Sequence, residues 1–173
     1  TGSQWNNSGF LFVGLKGSGT LNVEAGGVVS SAFGNISYSS SSTGVLLVSG
    51  SGSQWNNSAN LRVGESGSGT LNVEAGGLVS NNFGYIGYNS GSTGIATVTG
   101  SGSQWNNSGD LFIGGQLSSS GGSVTLNLLD SGLATVSGTT KLWTDGTIDL
   151  NGGELSTGTL DITAGTFNML DGI

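Results

Sequence analysis

The chain has 173 residues, of which 35 are glycine, and it contains no proline, cysteine or histidine. Its formal net charge is −7, and only three basic residues are present, which argues against nucleic acid and anionic lipid as partners because both need clustered Lys and Arg. Without histidine or cysteine, imidazole- or thiol-based catalytic triads and histidine-ligated metal sites are excluded. No apolar run approaches the ~20 residues of a membrane-spanning helix, so we expect no membrane insertion, and nothing indicates a cofactor.

The first hundred residues consist of two copies of a 50-residue unit. Residues 1–50 and 51–100 share 33 identities in 50 positions, which indicates a duplicated structural unit. Each unit divides again into two layers of equal length, because the apolar positions of 19–43 coincide with those of 44–68. One layer contains the string GTLNVEAGG and the other contains GSQWNNS.

Apolar and polar residues alternate within each layer, which is typical of β-strands. We expect the L-x-V pairs and the pair Ile36 and Tyr38 to point inward. In the register that aligns 19–43 with 44–68, this second pair falls on Leu61 and Val63 of the next layer. Short runs of Gly, Ser and Asn separate the strands and supply the positive-φ positions that sharp corners need.

These features predict an all-β parallel β-solenoid of about seven coils, with 25-residue coils paired into a 50-residue repeat. Each strand would pair with its equivalent one coil away, so that inward residues stack in columns. We expect one domain over residues 1–173. Regular repeats would occupy 1–114, an inserted loop 115–123, and shorter, less regular coils 124–173.

The C-terminal part contains a tighter pattern. Residues 146–157 and 158–169 align over twelve positions, so that Asp149 falls on Asp161. We expect both aspartates to face outward from equivalent positions of tighter coils. Because both ends of the chain fall within the repeat pattern, the sequence also predicts a fragment of a longer chain.

Three motifs carry a resemblance to a known family. The strings GSGTLNVEAGG, I-x-Y-x-S-x-S-T-G and GTLDITAGTF resemble the β-helical passenger repeats of autotransporter-type surface proteins from Gram-negative bacteria. The resemblance covers essentially the whole chain and concerns architecture rather than activity, because that family includes adhesins, biofilm factors, toxins and enzymes. It implies an exported β-helix at the bacterial cell surface, with the surfaces of host or neighbouring cells as partners.

The heptapeptide GSQWNNS occurs three times at regular intervals, beginning at Gly2, Gly52 and Gly102. We expect it at a corner of the solenoid, with its three tryptophans in one column and ~10 Å apart. One interpretation is that each indole caps the core while the asparagines bond the turn backbone. The other is an exposed aromatic ladder for sugar rings. In that case the residues facing a ligand would be Trp5, Gln54, Trp55, Asn56, Trp105 and Asn106.

Acidic pairs are the remaining candidates for chemistry. Glu24 and Glu74 occupy the same repeat position two coils apart, about 10 Å, which is close to the carboxyl spacing of inverting glycosidases. No neighbouring residue would give the two glutamates different pKa values, as a general acid and a general base require. We therefore interpret them as solvated groups that discourage lateral sheet pairing. Asp149 and Asp161 receive the same interpretation. A loose calcium site formed by these two residues and Asp145 is the alternative.

Two main classes of function remain open. Uniform repetition favours a non-catalytic rod that serves as a scaffold or adhesive module in cell adhesion or biofilm, with end-to-end or lateral self-association as a further expectation. The alternative is a carbohydrate-binding or polysaccharide-degrading β-helix. Its site would be sought at the irregular segment around Lys141, Trp143 and Asp145, because local breaks in a repeat tend to mark function.

An ice-binding solenoid is a third class. It needs threonine or another small residue at one outward position of every coil. The outward position of the L-x-V strands is occupied by Asn22, Leu47, Asn72 and Thr97. This mixed column does not favour ice binding.

Overall fold

Residues 2–170 are described by a computed structural model, in which they fold into a parallel β-solenoid of about six turns. The predicted all-β solenoid is therefore confirmed. One sheet contains seven strands, one for each of the seven coils expected, and about six turns of the chain lead from the first of these strands to the last. Within residues 2–170 no helix is long and apolar enough to cross a membrane.

Each complete coil contributes three short strands, separated by turns. The strands in chain order are β1 (Gln4–Asn6), β2 (Phe10–Val13), β3 (Ser18–Val23), β4 (Val28–Ser31), β5 (Phe33–Ile36), β6 (Thr43–Ser49), β7 (Gln54–Asn57), β8 (Leu61–Val63), β9 (Ser68–Glu74), β10 (Leu78–Asn81), β11 (Gly84–Ile86), β12 (Thr93–Thr99), β13 (Gln104–Asn107), β14 (Leu111–Ile113), β15 (Ser123–Leu129), β16 (Leu133–Leu142), β17 (Gly146–Asn151), β18 (Glu154–Ile162) and β19 (Thr166–Leu170).

The strands form three faces along the axis. The first face is a seven-stranded sheet with the order β3-β6-β9-β12-β15-β17-β19. The second face runs through β1, β4, β7, β10 and β13, and the third through β2, β5, β8, β11 and β14. Strands β16 and β18 are long enough to cross from the second face to the third. A register shift between Val136 and Thr139 marks the corner between them.

Inward side chains of equivalent strands stack in columns. On the first face, Leu46 pairs with Leu71 and Val48 with Val73, and all four are fully buried. Ile36 is fully buried on the third face. The inward orientation predicted for the L-x-V pairs and for Ile36 is therefore confirmed in these coils.

The third face departs from the constant register expected from the sequence. Ile36 pairs with Val63 and Gly34 with Leu61, so the predicted pairings of Ile36 with Leu61 and of Tyr38 with Val63 are wrong. Leu61 pairs with Gly34 of the preceding coil and with Gly84 of the following coil. The chain segment from Gly34 to Leu61 is longer than the segment from Leu61 to Gly84. Neighbouring coils thus differ in how residues are divided among their strands and corners, and only two coils together complete one unit.

Ser37 explains why Tyr38 is 41% exposed instead of inward. The φ of Ser37 is 66°, in the left-handed region, so the alternation of the strand stops after Ile36. Its hydroxyl group stays buried and donates a hydrogen bond of 2.8 Å to the carbonyl oxygen of Ser42. In the next unit the equivalent residue is Gly87, with a φ of 70°, and glycine adopts this conformation without strain.

The stack changes perimeter toward the C-terminus. On the first face, the coil that leads from Thr93 to its partner Ser123 is the longest, because it contains the inserted loop 115–123. The coil that leads to Gly146 is shorter than the regular ones, and the coil that leads to Thr166 is shorter still. The shorter C-terminal coils expected from the sequence are therefore present.

The twelve-residue pattern does not correspond to one coil, and the predicted equivalence of Asp149 and Asp161 is wrong. Asp149 lies on the first face between Asn127 and Asn168. Asp161 lies in the second half of β18, opposite Lys141. The pattern arises because strands on different faces of a solenoid share the same alternation of apolar and polar residues.

The inward and outward assignments of the first face can be tested by two neighbouring substitutions. Val73 is fully buried, so Val73→Asp should unfold the stack locally, because an unpaired charge inside the core is strongly unfavourable. Glu74 points outward, and Glu74→Gln should change the free energy of unfolding by less than about 0.5 kcal/mol. Thermal melts followed by circular dichroism measure both. The opposite order of stability would contradict the register of this face.

Candidate ligand-binding surface

The three indoles of the GSQWNNS motifs occupy one inward column but differ in how far neighbouring coils cover them. Trp55 and Trp105 are fully buried, whereas Trp5 is 49% exposed and pairs on one side only, with Val29. The motif forms a strand of the second face (Gln54–Asn57 in β7), so its predicted location at a corner is wrong. The exposed aromatic ladder is also wrong for Trp55 and Trp105, because neither indole presents a ring face to solvent.

Each buried indole occupies space that a glycine leaves in the preceding coil. A Cβ atom at Gly34 would lie 2.5 Å from Cζ2 of Trp55, and one at Gly84 would lie 3.3 Å from Cζ2 of Trp105. The inward column of the second face reads Trp5, Val29, Trp55, Val79, Trp105 and Ala134. Large and small residues alternate along this column. This packing gives a physical reason for a repeat of two coils.

Buried polar side chains hold the indole N–H groups. The Nε1 atom of Trp105 donates a hydrogen bond of 2.7 Å to Oδ1 of Asn81, whose Nδ2 in turn donates to Oδ1 of Asn107 at 2.6 Å. In the preceding unit, Nε1 of Trp55 donates to the hydroxyl oxygen of Ser31 at 3.2 Å. The interpretation of the indoles as core packing is thus confirmed for the two inner copies.

An open groove runs along the corner between the second and third faces, beside these polar side chains. One part of the groove has a volume of about 450 Å³ and begins at Asn7, and the other has a volume of about 400 Å³ and ends at Ser137. Both parts are lined by Asn57 and Ser58. We call this feature the asparagine groove, because asparagine and serine make up most of its lining.

Three of the residues predicted to face a ligand do lie on the outer surface. Asn56 and Asn106 line the asparagine groove. Gln54 lies in a smaller hollow of about 190 Å³ near the other corner of the second face, and its Oε1 accepts a hydrogen bond of 3.2 Å from Nδ2 of Asn56. The sequence motif therefore contains both core residues and surface residues, one after the other along a strand.

The outer side of the third face carries an aromatic and basic cluster that sequence reasoning missed. The rings of Tyr85 and Phe112 stack with their centroids 5.1 Å apart. The guanidinium of Arg62 lies 4.2 Å from the ring centroid of Tyr88 and forms a salt bridge of 3.2 Å with Glu65. Burial raises the pKa of the Tyr85 phenol, which favours its neutral form. The signal in the sequence was an aromatic or basic residue at the outward position of successive third-face strands.

The irregular segment near the C-terminus fastens the inserted loop. Nε1 of Trp143 donates a hydrogen bond of 2.8 Å to the carbonyl oxygen of Gln116 in that loop. The Lys141 ammonium lies 4.5 Å from the Trp143 ring centroid and 3.1 Å from a carboxylate oxygen of Asp161. Hydrogen bonds from Thr163 and Lys141 lower the pKa of Asp161, because they favour its ionised form. These contacts explain the irregular segment as a structural feature that holds the inserted loop.

Acidic side chains do not converge in the described part of the chain. Residues 2–170 contain no group of three or more acidic side chains placed to hold a metal ion. The calcium site considered for Asp145, Asp149 and Asp161 assumed that these carboxylates lie together. This assumption is wrong, because Asp149 and Asp161 lie on different faces. Glu24 and Glu74 follow the outward pattern of the first face, two coils apart, as expected.

The first face carries two outward columns, of which the sequence interpretation considered one. The mixed column that includes Asn22 and Leu47 lies in the register expected. The second column, two residues earlier in each strand, is β-branched in every coil and consists of Thr20, Val45, Thr70, Ile95, Thr125, Thr147 and Thr166. β-Branched side chains favour strands, which explains this column, and two of its members lack the hydroxyl group.

Comparisons of this chain with known protein families, curated proteins and solved structures found no match. The resemblance to autotransporter passenger repeats therefore stays a prediction from the sequence motifs.

The packing of the Trp55 indole against Gly34 of the preceding coil can be tested by substitution. Gly34→Ala should lower the free energy of unfolding by about 1–3 kcal/mol, because the new Cβ would overlap a rigid, fully buried ring. Gly17→Ala is the matched control, since no atom lies within 4 Å of a Cβ at that position. Urea titrations measure both variants. Equal stability of the two would contradict the packing of indole on glycine.

The unequal burial of the indoles gives a second test. Trp55→Ala should destabilise the chain by about 3–5 kcal/mol, the usual cost of emptying a buried aromatic site. Trp5→Ala should cost less than about 1 kcal/mol, because this indole is half exposed. A Trp143→Phe background removes the fourth indole. In this background, the blue-shifted part of the tryptophan fluorescence should disappear when Trp55 and Trp105 are both replaced. Equal destabilisation by the two alanine variants would contradict this assignment.

Proposed function

We propose that this chain is a non-catalytic rod of an exported bacterial surface or secreted protein, and that it acts as a scaffold and adhesive module in cell adhesion or biofilm. One observation carries the proposal: the same outward side chains recur around a continuous core. The outward column of the second face reads Asn6, Ser30, Asn56, Ser80, Asn106 and Thr135. Repeated weak contacts suit adhesion, because linked sites add avidity without new chemistry.

The proposed mechanism is mechanical and multivalent. Each coil adds about 4.8 Å to the length of the rod and presents another copy of the surface. The continuous columns of buried side chains make neighbouring coils move together, which suits a spacer that carries an adhesive surface away from a cell. The partner in this proposal is the surface of a host or neighbouring cell, with glycans as the chemistry contacted.

Composition supports export to the cell exterior. The chain is acidic, has no cysteine, and is rich in glycine and in uncharged polar residues, with only 8% of residues charged. These properties suit a protein that stays soluble without depending on a reducing compartment or on disulfide bonds. The resemblance to autotransporter passengers points to the same location.

A carbohydrate-binding β-helix is the second candidate, and the asparagine groove favours it over a polysaccharide-degrading one. The groove offers amide and hydroxyl groups, which suit binding. Hydrolysis needs two carboxyl groups on opposite sides of a scissile bond, about 5–9.5 Å apart. Neither part of the groove is lined by a carboxylate.

Surface display tests the adhesive proposal. We expect a non-adherent bacterial strain that displays this chain to be retained on epithelial monolayers or in surface biofilm several-fold more than the same strain displaying Val73→Asp. The variant is the control because its stack is disrupted while its composition is almost unchanged. Equal retention at equal display levels would contradict the proposal. Release of reducing sugars from a polysaccharide panel would contradict the non-catalytic assignment.

A further inference from the structure

We propose that the asparagine groove is the site at which the rod binds an uncharged oligosaccharide chain. This inference rests on the adhesive function proposed above and adds its binding site and ligand class. Its lining includes three buried asparagines, Asn57, Asn81 and Asn107, and an exposed serine follows the first and the last of them.

The shape of the groove suits a linear ligand. It crosses successive coils from Asn7 to Ser137, and its two parts meet at Asn57 and Ser58, which line both. A chain lying along the solenoid axis would meet similar side chains at each coil. The volumes of about 450 and 400 Å³ leave room for sugar units in each part.

The chemistry of the lining favours a neutral ligand that both donates and accepts hydrogen bonds. Asparagine amides and serine hydroxyls each provide a donor and an acceptor, as sugar hydroxyl groups do. No Lys, Arg, Asp or Glu lines either part of the groove. An acidic polysaccharide would find no cation there and would be repelled by a chain with a net charge of −7.

One buried amide beside the groove has unused hydrogen-bonding capacity. Asn107 lines the groove and is 1% exposed, and its Oδ1 accepts the hydrogen bond from Asn81. Its Nδ2 has no hydrogen-bond partner. The next residue in the same column is Val136, which offers no side-chain acceptor. Buried polar groups are normally paired, and this atom is closed off from solvent, so it would donate to a ligand hydroxyl only after the amide rotates toward the groove.

Other amides of the groove show how the site is held in shape. Oδ1 of Asn56 accepts a hydrogen bond of 2.8 Å from the hydroxyl of Ser80, and Oδ1 of Asn57 accepts one of 2.7 Å from Ser31. These bonds fix the amides before a ligand arrives. Since Trp55 is buried, binding would rest on hydrogen bonds rather than on ring stacking. We therefore expect modest affinity for each segment and gain through repetition.

A bulky substitution at the shared part of the groove provides the test. Ser58 is exposed and lines both parts, so Ser58→Trp should obstruct the groove without entering the core. Ser51→Trp is the matched control, since it makes the same change at an exposed turn residue of the same coil, outside the groove. Melts should show both variants folded like the unmodified chain.

Isothermal titration calorimetry uses maltohexaose, cellohexaose and mannohexaose as neutral probes and a hexamer of galacturonic acid as the acidic one. We expect at least one neutral probe to bind the unmodified chain and Ser51→Trp equally, and Ser58→Trp at least tenfold more weakly. The side-chain amide resonances of Asn107 should shift when that probe is added. Absence of neutral binding, preference for the acidic probe, or binding unaffected by Ser58→Trp would each overturn the inference.

The display assay separates this inference from the adhesive proposal. If cells displaying Ser58→Trp adhere as well as cells displaying the unmodified chain, adhesion uses another surface, and the role of the groove in adhesion is overturned while the adhesive function stands. If adhesion falls with Ser58→Trp but not with Ser51→Trp, both proposals are supported. Calorimetric binding without adhesion of displayed cells would support the site and contradict the function.

Discussion

Parallel pairing between equivalent strands of successive coils is the constraint on which the rest of this structure depends. It places equivalent residues about 4.8 Å apart, so that every inward position must tolerate the residues above and below it. Leucine and valine satisfy this condition by stacking on themselves, as in the columns of the first face. An indole is much larger, and Trp55 is accommodated only because Val29 and Gly34 in the preceding coil are small. The architecture thus dictates the alternation of two kinds of coil.

Buried polar groups connect this packing to the outer surface. Asn81 accepts the indole N–H of Trp105 and also lines the asparagine groove, so a single side chain contributes to the core and to the candidate site. A buried polar group of this kind is costly unless it is paired, and its pairing fixes its orientation. The groove is therefore shaped by the requirements of the core. The unpaired amide of Asn107 marks the point where the column changes from asparagine to Val136.

The sequence was sufficient for the fold and insufficient for the surface. Alternation in the L-x-V strands predicted the burial of Val73, because strand geometry leaves only two orientations. Tyr38 was assigned wrongly, because a single positive φ at Ser37 reverses the next side chain. Asn56 and Asn106 were singled out correctly as outward residues. The groove itself was not predicted, since it depends on how corners of different length align across coils, and an alignment with one constant register conceals that variation.

The two-coil period of the packing restricts how such a rod can change length. Loss of one whole two-coil unit by unequal recombination between repeats would leave each tryptophan above the glycine that accommodates it. Loss of a single coil, such as the one containing Gly84, would bring Trp105 onto the coil that carries Leu61 at the same register position. Genetic gain or loss of coils is thus compatible with the core only in pairs. Rods built on this unit should therefore change length by multiples of two layers.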